Sequence, residues 1–309
     1  MSDATRQLAQ FTLSVKACEK RRRKQATQQL VRGGAIACFF LCIMLLVAML
    51  HLNRLPIREI VFEGNEHYSS AELQQIFPQN IGEPLHLVNQ EAVREQMLSA
   101  CAYLSGIDVQ TSLRGVITIT VRERIPLWAL RYDIDANKVG YVILDEDLRA
   151  LEYTENSSAS CVVICPGIVL PRVGETLPEA AARREQAYID EKLAEGVKKK
   201  DIQPPPYISS VQRLQERLAC IARSMDEIRQ ISAAAAVDFS AAYDYTLAFQ
   251  DGSLLRLGNA DNLETQISYA ISAMQNYRME QGEAFSNVPL MVDVRDISRV
   301  FVREISSTP

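Results

Sequence analysis

The apolar positions change period several times between Pro56 and Leu130. In "PIREIVFEGN" Ile60 and Phe62 share one face of a strand, and Gly64-Asn65 turns the chain. Ser69 or Ser70 then caps a short helix through "AELQQIF", with Glu72 in its first turn. After "PQNIGEPL", Asn89 caps a second helix. Its stripe of Val93, Met97, Ala100/Cys101 and Leu104 follows the i, i+4, i+7/8, i+11 pattern of a one-sided helix. Alternation returns in "GIDVQTS", with Ile107, Val109 and Thr111 on one side. It continues in "GVITITVRER", with Ile117, Ile119 and Val121 on one side. Gly115 marks the turn between them. The predicted order is β-α-α-β-β.

Beyond Trp128 the pattern is that of a second, mainly β region. "GYVILDEDLRAL" reads as a strand with an Asp turn. "YDYTLAFQDGSLLRLGNADN" is a hairpin on Asp251-Gly252. A helix capped near Asn259 or Asp261 follows, with the stripe Leu263, Ile267, Ala270/Ile271 and Met274, and it closes near Gly282. The second half of "SAAAAVDFS" reads as strand. Residues 172–206 read as an insertion, either solvated or a docking site, made of a polar helix with a basic end stopped by Pro204-Pro205-Pro206.

The last patterned stretch is "LMVDVRDISRVFVRE", Leu290 to Glu304. Val292 and Val294 alternate with Asp293 and Arg295, and then the alternation slips. Ile297 and Phe301 fall on one parity, Val300 and Val302 on the other. The slip at Arg295-Asp296 divides an extended segment that is apolar on both faces. Its first half reads as sheet belonging to this protein, its second as an edge offered to another chain.

Charge adds a membrane topology. Eight of the 33 Lys/Arg and two of the 38 Asp/Glu lie in residues 1–32, a net +6; the remaining 25 and 36 leave −11 on the rest. Between the two lies "GGAIACFFLCIMLLVAML", Gly33 to Leu50, without a charge. At about 1.5 Å per residue it spans about 27 Å, enough with its flanks for a bilayer core. The expected division is a basic cytoplasmic tail (1–32), a retained single membrane helix (33–52), an α+β domain (56–127), a mixed domain with a mainly antiparallel sheet (128–304), and a tail (305–309). "KRRRK" keeps the N-terminus in the cytoplasm, so both folded domains are extracytoplasmic. In that compartment Cys101, Cys161, Cys165 and Cys220 have three possible pairings, and no bridge is assigned. An extended "CVVICP" holds Cys161 and Cys165 too far apart to bridge each other.

Candidate chemistry is sparse. The three histidines, His51, His67 and His86, have no partners at metal-ligand spacing. Phosphate loops, nucleophile elbows and Ser-x-x-Lys pairs are missing from the sequence. Asp145 and Asp147 fit a turn, Glu123 a strand end, and Trp128, the sole Trp, a packing anchor. The reading is a binding protein, not an enzyme, with no cofactor, metal, nucleic acid or small-molecule substrate.

Here the residues carry a resemblance. The strand, Gly-Asn turn, two helices and hairpin ending in "VRERIP" look like a POTRA domain just outside a membrane span. The whole layout resembles the FtsQ/DivIB family of bacterial cell-division proteins. "IVFEGNEHYSSAEL" is similar to that family's strand-Gly-Asn-x-x-aromatic-Ser opening, and "ITVRERIPLWAL" to its strand-Glu-Arg-x-Pro seam. "GYVILDEDLRAL" stands where the family has Val-Asp-x-x-Gly, "VVICPGIVLPRVGETL" where it has Leu-Pro-x-(Leu/Ile)-x-Gly, and "VPLMVDVRD" resembles its late Val-Asp-Leu-Arg strand. The chain departs from the pattern at Leu113-Arg114-Gly115, where Trp-Pro is usual, and at Asp296, where an aromatic is common.

The resemblance implies a septal, inner-membrane scaffold of the divisome. It would link early division proteins to FtsB and FtsL and, beyond them, to FtsW, FtsI and septal peptidoglycan synthesis. The implied FtsB-binding edge is Arg295, Asp296, Ile297, Ser298, Arg299, Val300, Phe301, Val302 and Arg303, with Arg295 and Arg299 meeting acidic partner residues. The implied recruitment surface in the POTRA domain includes Gly64, Asn65, Tyr68, Glu123 and Arg124. The alternatives are a POTRA-containing assembly or secretion factor, or an anchored cell-wall enzyme.

Overall fold

The computed structural model describes residues 34, 37–49 and 55–305, apart from 137, 158–160, 204–205, 231, 242–243, 259–261, 283–287 and 297. The tail 1–32, His51, the caps foreseen at Asn259 and Asp261, Pro204-Pro205 and Ile297 lie outside the described residues. Residues 37–49 form helix α1, and its large apolar side chains, Phe39, Phe40 and Met44 among them, are exposed. Among the described residues no helix is long and apolar enough to cross a membrane. The span expected at 33–52 continues on both sides of α1 into residues outside the described ones.

The first region follows the β-α-α-β-β order: β1 (Glu59–Glu63), α2 (Ser70–Ile76), α3 (Gln90–Ala100), β2 (Leu104–Thr111) and β3 (Val116–Glu123). Its strands form one sheet in the order β1-β3-β2. Ser69 is the cap of α2. Its hydroxyl accepts from the Glu72 N–H at 3.3 Å, and the Glu72 carboxylate accepts from the Ser69 N–H at 2.8 Å. Asn89 Oδ1 caps α3, accepting from the N–H groups of Glu91 and Ala92. Val93, Met97 and Cys101 are buried while Ala100 is exposed, which resolves the stripe in favour of the cysteine. Thr111, on the same side of the strand as the buried Ile107 and Val109, is exposed, because β2 ends there and Ser112 turns the chain toward Val116.

The second region comprises β4 (Trp128–Asp135), β5 (Lys138–Leu144), β6 (Ala150–Thr154), β7 (Cys161–Ile164), α4 (Leu177–Ala194), α5 (Pro206–Arg223), α6 (Met225–Arg229), β8 (Ala234–Asp238), β9 (Tyr245–Phe249), β10 (Leu254–Leu257), α7 (Leu263–Gln281), β11 (Leu290–Asp293) and β12 (Phe301–Glu304). The strands make a nine-stranded sheet in the order β12-β11-β10-β9-β8-β7-β4-β5-β6. The pairs β4/β7, β7/β8 and β10/β11 are parallel and the others antiparallel. By internal packing the chain falls into two compact units. One is Met1–Glu63 with Phe77–Val93 and Val109–Ile119; the other is Gly64–Ile76 with Arg94–Asp108 and Thr120–Pro309.

One face of the large sheet carries the main core. Trp128, Val142, Leu247, Leu255 and Val292 meet Leu214 and Leu218 of α5, Ile228 of α6, and Ile267 and Met274 of α7. The other face, at β4 to β6, places Ala129, Ile143 and Leu151 against Tyr103 and Tyr68. The α7 stripe is buried as its spacing requires, and Gly282 at φ +85° ends the helix with its N–H on the Arg278 carbonyl. Leu148, at φ +58°, holds the left-handed corner of the Asp145 turn, where the resembled pattern has glycine. Its side chain is buried in the core, which offsets the backbone cost.

The region expected to be an insertion divides in two. Helix α4 opens with a capping box between Thr176 and Glu179 and buries only Leu177, Ala180 and Ala181, so most of it is the polar helix foreseen. Helix α5 was not foreseen. Pro206 opens it instead of ending the preceding helix, because the first turn leaves its N–H groups unbonded and tolerates proline. Its Val211, Leu214, Leu218 and Ile221 are fully buried. Leu214→Ala is expected to cost about 2–5 kcal/mol, whereas Leu193→Ala on exposed α4 changes stability by no more than about 0.5 kcal/mol. Urea unfolding of the two variants measures the contrast, and equal effects would show that α5 is not core.

Candidate functional site

The nine-stranded sheet ends in β6 and β12, and the two ends are finished differently. Along β6, residues 171–177 form a strap. The Gly174 N–H donates to the Ala150 carbonyl at 2.7 Å, and the Ala150 N–H donates to the Glu175 carbonyl at 2.9 Å. The Tyr153 hydroxyl adds a bond to the Pro171 carbonyl at 2.6 Å. Along the outer side of β12, no strand pairs among the described residues.

Strand β12 is held by a hairpin. It pairs antiparallel with β11 in the register Met291↔Arg303, Val292↔Val302 and Asp293↔Phe301. The single extended stretch expected over Val292–Arg303 is therefore two strands and a turn. Asp296 makes the turn: its Oδ1 accepts from the Ser298 N–H at 3.0 Å and hydroxyl at 2.7 Å, and its carbonyl accepts from the Arg299 N–H at 3.0 Å. The slip in alternation at Arg295-Asp296 is the mark of that turn.

Each expected edge residue can now be placed, except Ile297, which is outside the described residues. Arg295 donates to the Asp293 carboxylate at 2.6 Å and lies 3.7 Å from Asp244, so its charge is spent within the chain. The Arg295 guanidinium holds the Asp293 carboxyl below the usual carboxylate range. Asp296 and Ser298 form the turn, and Arg299 is exposed beside it. Val300 and Val302 are half-buried, with their side chains packed inward on the core. Phe301, 63% exposed, stands on the opposite face. The Arg303 guanidinium lies against the Met291 sulfur at 2.9 and 3.2 Å. Helix α7 reaches the same edge, where the Tyr277 hydroxyl donates to the Glu304 carboxylate at 3.0 Å.

The residues expected to serve recruitment build a second cluster. Gly64 has φ +81°, and a Cβ there would stand 2.5 Å from the Val121 carbonyl oxygen, so the turn requires glycine. The Asn65 side chain donates to the Tyr68 carbonyl at 2.8 Å. The Glu123 carboxylate accepts three backbone N–H groups, from Glu66, His67 and Tyr68, at 3.0, 2.6 and 3.2 Å. The His67 ring stacks on Tyr103 at 3.7 Å between centroids, and Tyr68 meets Tyr103 edge-on. Burial pushes the Tyr68 and Tyr103 hydroxyls up, keeping them neutral. Arg124 binds Asp145 at 2.7 Å and the Leu104 carbonyl at 3.3 Å, while the buried Asp145 also accepts the Arg149 N–H at 2.8 Å. Most polar atoms of this cluster are engaged within the chain, and Gly64, Glu66 and His67 are among its exposed members.

The cysteines are free thiols among the described residues. Burial pushes Cys161 up to about 12 and raises Cys101, Cys165 and Cys220 as well, so none is a thiolate near neutral pH. No group of three side chains suited to a metal occurs among the described residues.

Residues 55–124 match the family model of the POTRA domain of the FtsQ type, and the match supports the FtsQ/DivIB family. Comparison with curated proteins finds no match for the chain. Because the native carboxyl of Asp293 is lowered, its contribution to stability is complete above its ordinary value near 3.8 and is withdrawn as pH falls through the lower native value. Asp293→Asn is expected to remove that part of the acid limb. Urea midpoints between neutral pH and pH about 3 measure it, and an unchanged acid limb would show that the Arg295 pair contributes nothing.

Proposed function

We propose, from the FtsQ-type POTRA domain at residues 55–124, that this chain is a bitopic scaffold of the bacterial division machinery. The apolar run Gly33–Leu50 would anchor it in the inner membrane, with the basic tail in the cytoplasm and the acidic remainder outside. Its work is binding. The POTRA domain would engage division proteins that arrive early, and the β12 edge would capture an extended segment of FtsB, held with FtsL, so that septal wall synthesis is coupled to the assembly.

The observation that carries this reading is the pairing of that POTRA domain with a sheet whose β6 end is strapped and whose β12 end is uncovered among the described residues. Natural sheets protect idle edges. An open row of backbone N–H and C=O groups beside an exposed Phe301 suits strand addition, in which the main chain supplies affinity and side chains select the partner. FtsW and FtsI would be reached through FtsB and FtsL.

Phe301→Glu and Val302→Pro are each expected to weaken binding of a purified extracytoplasmic FtsB–FtsL complex by roughly tenfold or more, with the circular dichroism spectrum unchanged. Calorimetry measures the affinity, and wild-type values for both variants would sink the edge-strand reading. A fluorescently tagged copy is expected at the septum of dividing cells. A uniform envelope signal would return the choice to the assembly-factor alternative.

A further inference from the structure

Hydrogen-bond parity on β12 fixes which of its groups face an incoming segment. The Ile305 N–H donates to the Pro289 carbonyl at 2.9 Å. With the register Met291↔Arg303 and Asp293↔Phe301, residues 301, 303 and 305 turn their backbone groups toward β11. Val302 and Glu304 therefore turn theirs to the uncovered side. The side chains alternate with the same period. Val302 packs on the core, and Phe301 and Arg303 share the outer face.

The charges on that face are unequal in what they have left to give. Arg256 pairs with Asp244 and lies near Asp293, and Arg295 pairs with Asp293. Arg303 rests on a thioether and has no carboxylate in ion-pair reach among the described residues. It sits two positions from Phe301, on the same face and beside the open backbone row.

Resting on the edge-strand reading above, we infer that the captured segment belongs to an acidic protein partner and presents a carboxylate to Arg303 and an apolar side chain to Phe301. Facing residues on adjacent strands have Cβ atoms about 5 Å apart, within reach of a guanidinium–carboxylate pair. Because the period of a strand is two, the acidic and apolar residues are separated by one residue whichever way the segment runs. A second copy of β12 does not fit. Its outer face holds Phe301 and Arg303 and no acid. Arg303 thus joins Arg295 and Arg299, the two arginines that the resemblance implies would meet acidic partner residues.

Two fluorescent peptides, Thr-Glu-Thr-Phe-Thr-Thr and Thr-Lys-Thr-Phe-Thr-Thr, test this against the full-length protein in detergent micelles by anisotropy. The Glu peptide is expected to bind roughly 5-fold tighter than the Lys peptide, with the gap narrowing in high salt. Arg303→Glu inverts the order, and Arg303→Lys preserves it. Equal binding of both peptides to the wild type, with binding lost in Val302→Pro, overturns the charge selection and leaves the edge reading standing. A preference for Glu that survives Val302→Pro overturns the edge reading, and with it the spacing. An unchanged order in Arg303→Glu removes Arg303 from the role. If neither peptide binds any variant, both readings fall.

Discussion

An open β-sheet must dispose of two outermost rows of backbone donors and acceptors, and most of what is distinctive in this molecule follows from how it does so. Backbone groups left without protein or water partners are costly, and rows left open to water invite pairing with other chains. Here one row is bonded by the strap at 171–177, whose position depends on the Asp145 turn and on the capped start of α4. The other row belongs to a four-residue strand supported from behind by α7 and by the hairpin turn at Asp296. The support matters as much as the opening. A short strand without β11, Tyr277 and the inward packing of Val302 would have no fixed face to present.

The seam around Glu123 applies the same physics in the opposite direction. A carboxylate that gathers three successive N–H groups turns a loop into a fixed surface. Its neighbour Arg124 neutralises the buried Asp145, so adjacent residues at one strand end organise a loop on one side and a turn on the other. The plainest role for Pro126, two residues on, is to end strand pairing there. Such residues are structural first, and the surface they leave exposed is narrow.

Much of the fold was legible because local rules and packing agree. Asn89, the Asp251-Gly252 turn, Gly282 and the α7 stripe each carry a signal of only a few residues that packing does not contradict. Helix α5 was hidden because three consecutive prolines read as a stop, whereas proline in a first turn is also a start. The hairpin β11–β12 was hidden because its turn lacks a Gly-Asn or Asp-Gly signal and rests instead on the Asp296 side chain. The edge itself was sensed in the sequence, but its faces were not. Whether a valine points at a core or at solvent depends on which pairs exchange hydrogen bonds, and register is a property of two strands together. The ion pairs of Arg295 were hidden for the same reason, since Asp244, which shares its charge, is 51 positions away in the chain.

The exposure of Phe301 beside an uncovered strand has a consequence for how much of the protein a cell can hold. A copy whose edge is occupied is quiet. A copy made in excess carries an apolar side chain next to idle donors and acceptors, and crowding such copies together raises their chance of pairing wrongly. Supply must then be matched to demand, and abundance becomes as much a part of the protein's chemistry as any residue in it.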